Sequence, residues 1–147
     1  MKKQILTVAA LLISGFISAQ DIPKSQVPSV VSNQFEKTFP NATDVEWEMK
    51  RDTYKVDFEV SNIDHAMWYT STGELIKHKE DITVADLPKA VSDKINTSFS
   101  GYSIDDLERI SVTGGDVIYK MELNATLQQD WDVTFNAEGK ILSQKAD

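Results

Sequence analysis

Two stretches of the chain repeat one pattern. Val27-Pro28-x-x-Val31-x-x-x-Phe35-x-x-x-Phe39 returns sixty positions later as Leu87-Pro88-x-x-Val91-x-x-x-Ile95-x-x-x-Phe99. Apolar residues at every fourth position, widened by Val30 and Ala90, form the stripe of a helix packed along one side. Proline loses no hydrogen bond at a first helical position, so Pro28 and Pro88 mark two helix starts. Phe39-Pro40-Asn41 and Phe99-Ser100-Gly101 supply the stops. The chain is an internal duplication, and whatever it folds into must be built twice.

After each helix the period changes to two. Val45, Trp47 and Met49 alternate with Glu46, Glu48 and Lys50. Tyr54, Val56, Phe58 and Val60 alternate with Lys55, Asp57 and Glu59, as in half-buried strands with one wet face. Met67 and Tyr69 continue the apolar face, Ser71-Thr72-Gly73 turns the chain, and Leu75 to His78 begins a fourth strand. In the second copy Ile104, Leu107, Ile110 and Val112 break strict alternation, which marks either a bulge at Asp105-Asp106 or a slip between the copies. Thr113-Gly114-Gly115-Asp116 is a turn. Val117, Tyr119, Met121 and Leu123 restore the alternation, followed by Trp131, Val133 and Phe135. The offset between copies grows from 60 at the helix to 65 at Tyr54/Tyr119 and 66 at Gly73/Gly139, as hairpin insertions would produce.

Each unit is thus one helix and about four antiparallel strands, the first over about 24–80 and the second over about 83–145. Alone, a unit leaves its sheet half covered. Two units side by side join edge strands into one sheet of about eight strands, with both helices on one face and two fewer exposed edges. The expected class is α+β, in a single domain over 20–147, with Asp21 to Gln26 a loose polar leader.

The first nineteen residues stand apart from this pattern. Met1-Lys2-Lys3 is cationic, Ile5 to Ile17 is mostly apolar, and Ser18-Ala19 ends on a small residue, which together read as a secretory signal cut after Ala19. The apolar run falls short of the roughly 20 residues a membrane span needs, and no second such run follows. The product would be periplasmic or secreted. Removing the signal leaves 128 of the 147 residues, one domain's worth. The chain has no cysteine, so no disulfide or thiolate site supports the core. Its 15 Lys and Arg against 23 Asp and Glu give a net charge of −8, and loss of Lys2 and Lys3 makes it more acidic still. Such a chain will not track a nucleic-acid backbone, which needs basic grooves; acidity keeps it soluble and favours a cationic partner.

The joint pattern resembles a known family. Val27-Pro28 through Phe39-Pro40-x-Ala42, then Val45-Glu46-Trp47-Glu48, Tyr54-x-Val56-x-Phe58 and Tyr69-Thr70-x-x-Gly73-x-Leu75-Ile76, is similar to the PepSY-like, β-lactamase-inhibitor-like proteins exported by Bacteroidetes. The resemblance covers about residues 27 to 143. It implies a tandem α plus β unit with a saddle-shaped sheet, usually outside the cytoplasm and with no established enzymatic activity. Fold analogy does not carry function, and the inhibitor proteins themselves are disulfide-bonded. The Phe-Pro-x-Ala element is also confined to the first copy, since the second reads Phe99-Ser100-Gly101-Tyr102.

No motif points to catalysis. His65 and His78 lie in or beside strands without a nucleophile signature, although Ser71 and the acidic residues could in principle complete a triad, and His-Glu-x-x-His is absent. The expectation is a protein that is not an enzyme and carries no cofactor. Glu46, Glu48, Asp57 and Glu59 should share one sheet face, where like charges repel, and weak calcium binding by these carboxylates is the alternative function. The aromatics say more. Alternation puts Trp47 and Trp131 in the core but turns Trp68, between Met67 and Tyr69, onto the helix-free face, where its counterpart is Thr134. An exposed tryptophan among Glu46, Glu48, Asp57, Glu59, Glu122 and Asp132 suits a protein contact, since aromatic anchors dominate interfaces. The sequence therefore predicts a protein partner held on the open sheet face.

Overall fold

The computed structural model describes residues 19–147. The signal segment, except for Ala19, lies outside the described residues. Among them, no helix is long and apolar enough to cross a membrane.

The chain forms one antiparallel sheet in which every strand pairs with its neighbour in sequence. Strand β1 (Gln20–Ile22) is followed by helix α1 (Ser29–Thr38), then β2 (Thr43–Lys50), β3 (Thr53–Val60), β4 (Ile63–Thr70) and β5 (Leu75–Asp81). Helix α2 (Lys89–Ser98) opens the second copy, with β6 (Ser103–Val112), β7 (Val117–Asn124), β8 (Trp131–Asn136) and β9 (Ile141–Ala146). The class and the single-sided placement of the helices are as the repeat predicts.

Three local expectations are corrected. The expected sheet of about eight strands has nine. The extra one is β1, in the segment expected to be loose; its Ile22 pairs with Trp47 and packs against the first core. It has a counterpart that the strand count conceals. Sixty residues on, the end of β5 pairs with β6 in the same way, Glu80 opposite Arg109 where Gln20 stands opposite Met49. The true unit is therefore strand, helix and four strands, with β5 serving both copies. The prolines, finally, sit one residue before the helices: Pro28 and Pro88 are extended cap residues with ψ of 135° and 141°, each preceded by a single 3-10 turn, Lys24–Gln26 and Val84–Asp86.

Two separate cores result. Val31 and Phe35 of α1 meet Trp47, Val56, Phe58, Met67 and Tyr69. Val91 and Ile95 of α2 meet Leu107, Tyr119, Met121, Leu123, Val133 and Phe135. Trp131 packs beside the second core, as alternation requires. Asp106 adopts a φ of 44° and the β6–β7 register shifts between Asp105 and Glu108, so the irregularity in the sequence is a bulge. Asp44, at φ 50°, makes another in β2.

Candidate functional site

Directly opposed residues of an antiparallel sheet share a face, so the register determines which side chains meet. On the helix-free face Trp68 lies between Lys55 of β3 and Lys77 of β5. The Lys77 ammonium sits 3.6 Å from the indole centroid and that of Lys55 5.8 Å away, a cation–π stack. Trp68 is thus on the expected face but half-buried, and its immediate neighbours are basic, not acidic.

The carboxylates lie elsewhere on that face. Glu48 and Asp57 both pair with Lys55, at 3.5 and 2.7 Å. Glu46 faces Asp57, and Glu59 faces Asp64 across β3 and β4. A shallow hollow of about 390 Å³ gathers Glu46, Asp57 and Glu59 with Asp44, Asp64 and Lys79. In the second copy Glu122 stands between Asp105 and Asp132; partial desolvation and then the nearby Asp147 and Asp106 push its carboxyl up. The predicted residues therefore share a face without forming one centre. The carboxylates of Glu46, Glu48, Asp57 and Glu59 supply no set of three whose oxygens lie within 4.8 Å of one another.

What the sequence did not disclose is the apolar patch beside Trp68. Lys77 is opposed by Val112 and Lys79 by Ile110, which is opposed in turn by Ile118. The bulge at Asp105-Asp106 shifts the phase of β6 and turns Ile110 and Val112 away from the helices. Val112 is 41% exposed. Broken alternation over 104–112 was the available signal, and it left the facing undecided.

The other face holds a second cluster, at the junction of the copies. His65 of β4 is opposite Glu80 of β5, and Glu80 is opposite Arg109 of β6. His78 follows two residues before Glu80 and so shares its face. His65 Nδ1 lies 3.1 Å from His78 Nε2, one ring carrying the proton the other accepts. The rings stack at 5.3 Å, and His65 stacks in turn on Phe58 at 5.1 Å. Phe39, at the end of α1, lies 5.9 Å from both. Arg109 donates from Nε to Oε1 of Glu80 at 2.8 Å, and its Nη2 makes an ion pair with the same oxygen at 2.7 Å. The other carboxylate oxygen, Oε2, stands 4.0 Å from His65 Nδ1. Burial lowers the His78 pKa, Glu80 opposes the shift, and His65 and Arg109 reinforce it.

The sequence put these histidines in strands without a partner, and the structure brings them together. The signal was the hairpin itself. A turn at Ser71-Thr72-Gly73 brings 65 beside the far end of β5, and the register shift between Trp68 and Tyr69 then puts His78 on the same face. Ser71 does not join them, since six residues along an extended strand span about 20 Å.

Over residues 17–77 and again over 67–143 the chain matches the family described as "Putative beta-lactamase-inhibitor-like, PepSY-like". The two matches overlap in β4 and β5, as expected if β5 serves both copies. No curated protein matches the sequence. Among solved structures, a periplasmic-type protein of Bacteroides eggerthii superposes with a TM-score of 0.72 at 21% identity, over 82% of this chain and 88% of its own. A BLIP-like protein of Bacteroides fragilis gives 0.67 at 20% identity, over 85% of this chain and 87% of its own. With both copies matched and the tandem sheet in place, the chain belongs to the PepSY-like family.

Proposed function

We propose that the protein is an exported, non-enzymatic, inhibitor-like module that occludes a protein partner with its helix-free sheet face. The observation that carries this reading is the patch of Trp68, Ile110, Val112 and Ile118 on that face, which no element among the described residues covers. Apolar groups ringed by charge are the usual anatomy of a recognition surface. Lys55, Lys77, Lys79 and the carboxylates at either side form the ring. A partner would place an apolar segment over Ile110 and Val112 and basic groups against Glu46, Asp57, Glu59, Glu122 and Asp132. The similarity to a protein described as BLIP-like is consistent with this mode of action.

The test is capture of partners from envelope extract by wild type, Trp68→Ala, Ile110→Asp and a control, Gln34→Asp, on the exposed side of α1. A partner retained by wild type and control, and lost from both open-face variants, is the expected result. A buried aromatic anchor contributes at least about 2 kcal/mol, or roughly thirtyfold in affinity. Equal recovery by all four proteins would remove the open face from consideration.

A further inference from the structure

We propose that His65, His78 and Glu80 form a binding site for a divalent transition cation of the zinc class, built into the junction between the two copies. This site lies on the helix side of the sheet and does not depend on the partner reading above.

Among the described residues these three are the one group of His, Asp or Glu whose ligand atoms all lie within 4.8 Å of one another. The donor set, two imidazole nitrogens and one carboxylate oxygen, is that of three-ligand zinc sites that leave a fourth position open. At metal–ligand bonds of about 2.0–2.1 Å, tetrahedral ligands stand about 3.3 Å apart. His65 Nδ1 and His78 Nε2, at 3.1 Å, are nearly at that spacing already. Glu80 Oε2, at 4.0 Å from His65 Nδ1, needs to close by well under an ångström, a small side-chain rotation. The proton now held between the rings would pass to the far nitrogen of its own ring as the cation entered, since both facing nitrogens would then give lone pairs to it.

The surroundings are those of a supported site. Phe58 and Phe39 fix the planes of the rings. Arg109 occupies Oε1 of Glu80 and leaves Oε2 for the cation, the outer-sphere role that orients a ligating carboxylate. Its charge opposes a cation, but Glu80 neutralises it through a hydrogen bond and a second ion-pair contact. The side chains of His65, Glu80 and Arg109 are 9%, 20% and 38% exposed, so the site opens to solvent past Arg109. Soft thiolate ligands are absent from the chain, and the mixed nitrogen and oxygen set disfavours calcium, which takes six to eight oxygens.

The duplication supplies an internal control. By register, the second copy has Trp131 where the first has His65, Gln144 for His78 and Ala146 for Glu80. Gln20 and Met49 occupy the places of Glu80 and Arg109 at the outer edge. The fold needs none of these polar groups, since the same backbone stands without them.

The experiment is calorimetric titration of untagged protein with zinc chloride, together with the visible absorption of its cobalt(II) form. Variants are His78→Gln, Glu80→Gln and, as a surface control, Lys120→Gln, each first shown by thermal unfolding to be folded without metal. Wild type and control should take up one zinc per chain and give the intense bands of tetrahedral cobalt. His78→Gln should bind at least tenfold more weakly and lose those bands, and Glu80→Gln should weaken binding with altered bands. The proposal is overturned if wild type takes up no zinc, if both variants bind as wild type does, or if calcium chloride stabilises the protein as much as zinc does.

Discussion

Gly73 and Gly139 set the distance between helix and sheet in the two copies, and each does so for two reasons. Their φ angles of +88° and +79° lie where side chains are disfavoured. Each hairpin tip also presses on the first turn of a helix. A Cβ on Gly139 would stand 2.4 Å from the Ala90 carbonyl oxygen, which is backbone and cannot yield, whereas one on Gly73 would meet the Val30 side chain at 3.0 Å. Gly114, at φ +73° with nothing within 4 Å of such a Cβ, isolates the conformational cost alone. Alanine at 114 should therefore cost about 1 kcal/mol, from backbone strain. Alanine at 139 should cost about 3–4 kcal/mol because the steric clash adds to the strain, with Gly73→Ala between them. Urea denaturation of the three variants checks the order, and equal losses at 114 and 139 would refute the helix contact as the reason for glycine.

Among the elements, the short turns before the helices are where the copies differ most in chemistry. Thr83 and Asp86 close a capping box around the 3-10 turn that leads into α2, with the Asp86 carboxylate accepting from the Thr83 hydroxyl at 2.7 Å and from its backbone N–H at 2.9 Å. The corresponding turn of the first copy, at Pro23, has no such cap. The hydroxyl, and then the N–H, hold Asp86 below the usual carboxylate range. A lowered folded pKa means stability that is present above the unfolded value, near 3.9 for aspartate, and is lost as pH falls through the folded value. Asp86→Asn should thus be less stable than wild type at pH 7, and the gap should narrow steadily below about pH 4. Thermal unfolding of both proteins across that range decides it; a gap that stays constant with pH would show the carboxylate charge to be irrelevant.

The same scale shows what the sequence could reveal. Both helices and the long strands were legible because burial on one face writes period four or two into the residues, as at 31, 35, 56 and 58. β1 was not, because an edge strand of three residues buries little and Gln20-Asp21 carries no alternation. Trp68 was assigned to the correct face by alternation, but its lysine neighbours depend on which strands pair. The histidine cluster depends further on a one-residue shift in the β4–β5 register between Trp68 and Tyr69. Pairing of that kind is set by the turn and the bulge, and no single strand records it.

For the whole molecule, the joint between the copies is different in kind from their interiors. Each helix covers its own core, and the two cores share no buried residue. Between them β5 and β6 contribute five paired positions, the ion pairs of Glu80 with Arg109 and Lys79 with Glu108, and the histidines. Such pairs add little when they are partly exposed, so the backbone ladder and the shared strand β5 must carry most of the coupling. A sheet of two stacked units joined this way should behave as repeat proteins do, with unit stabilities and an interface term of comparable size. Leu123→Ala removes a fully buried side chain of the second core and should cost about 2–5 kcal/mol there. Native-state hydrogen exchange should then show β7 and β8 losing protection while β3, across the joint, keeps most of its own. Equal loss of protection in β3 and β7 would mean that the junction transmits the full cost and that the duplicated chain unfolds as one body.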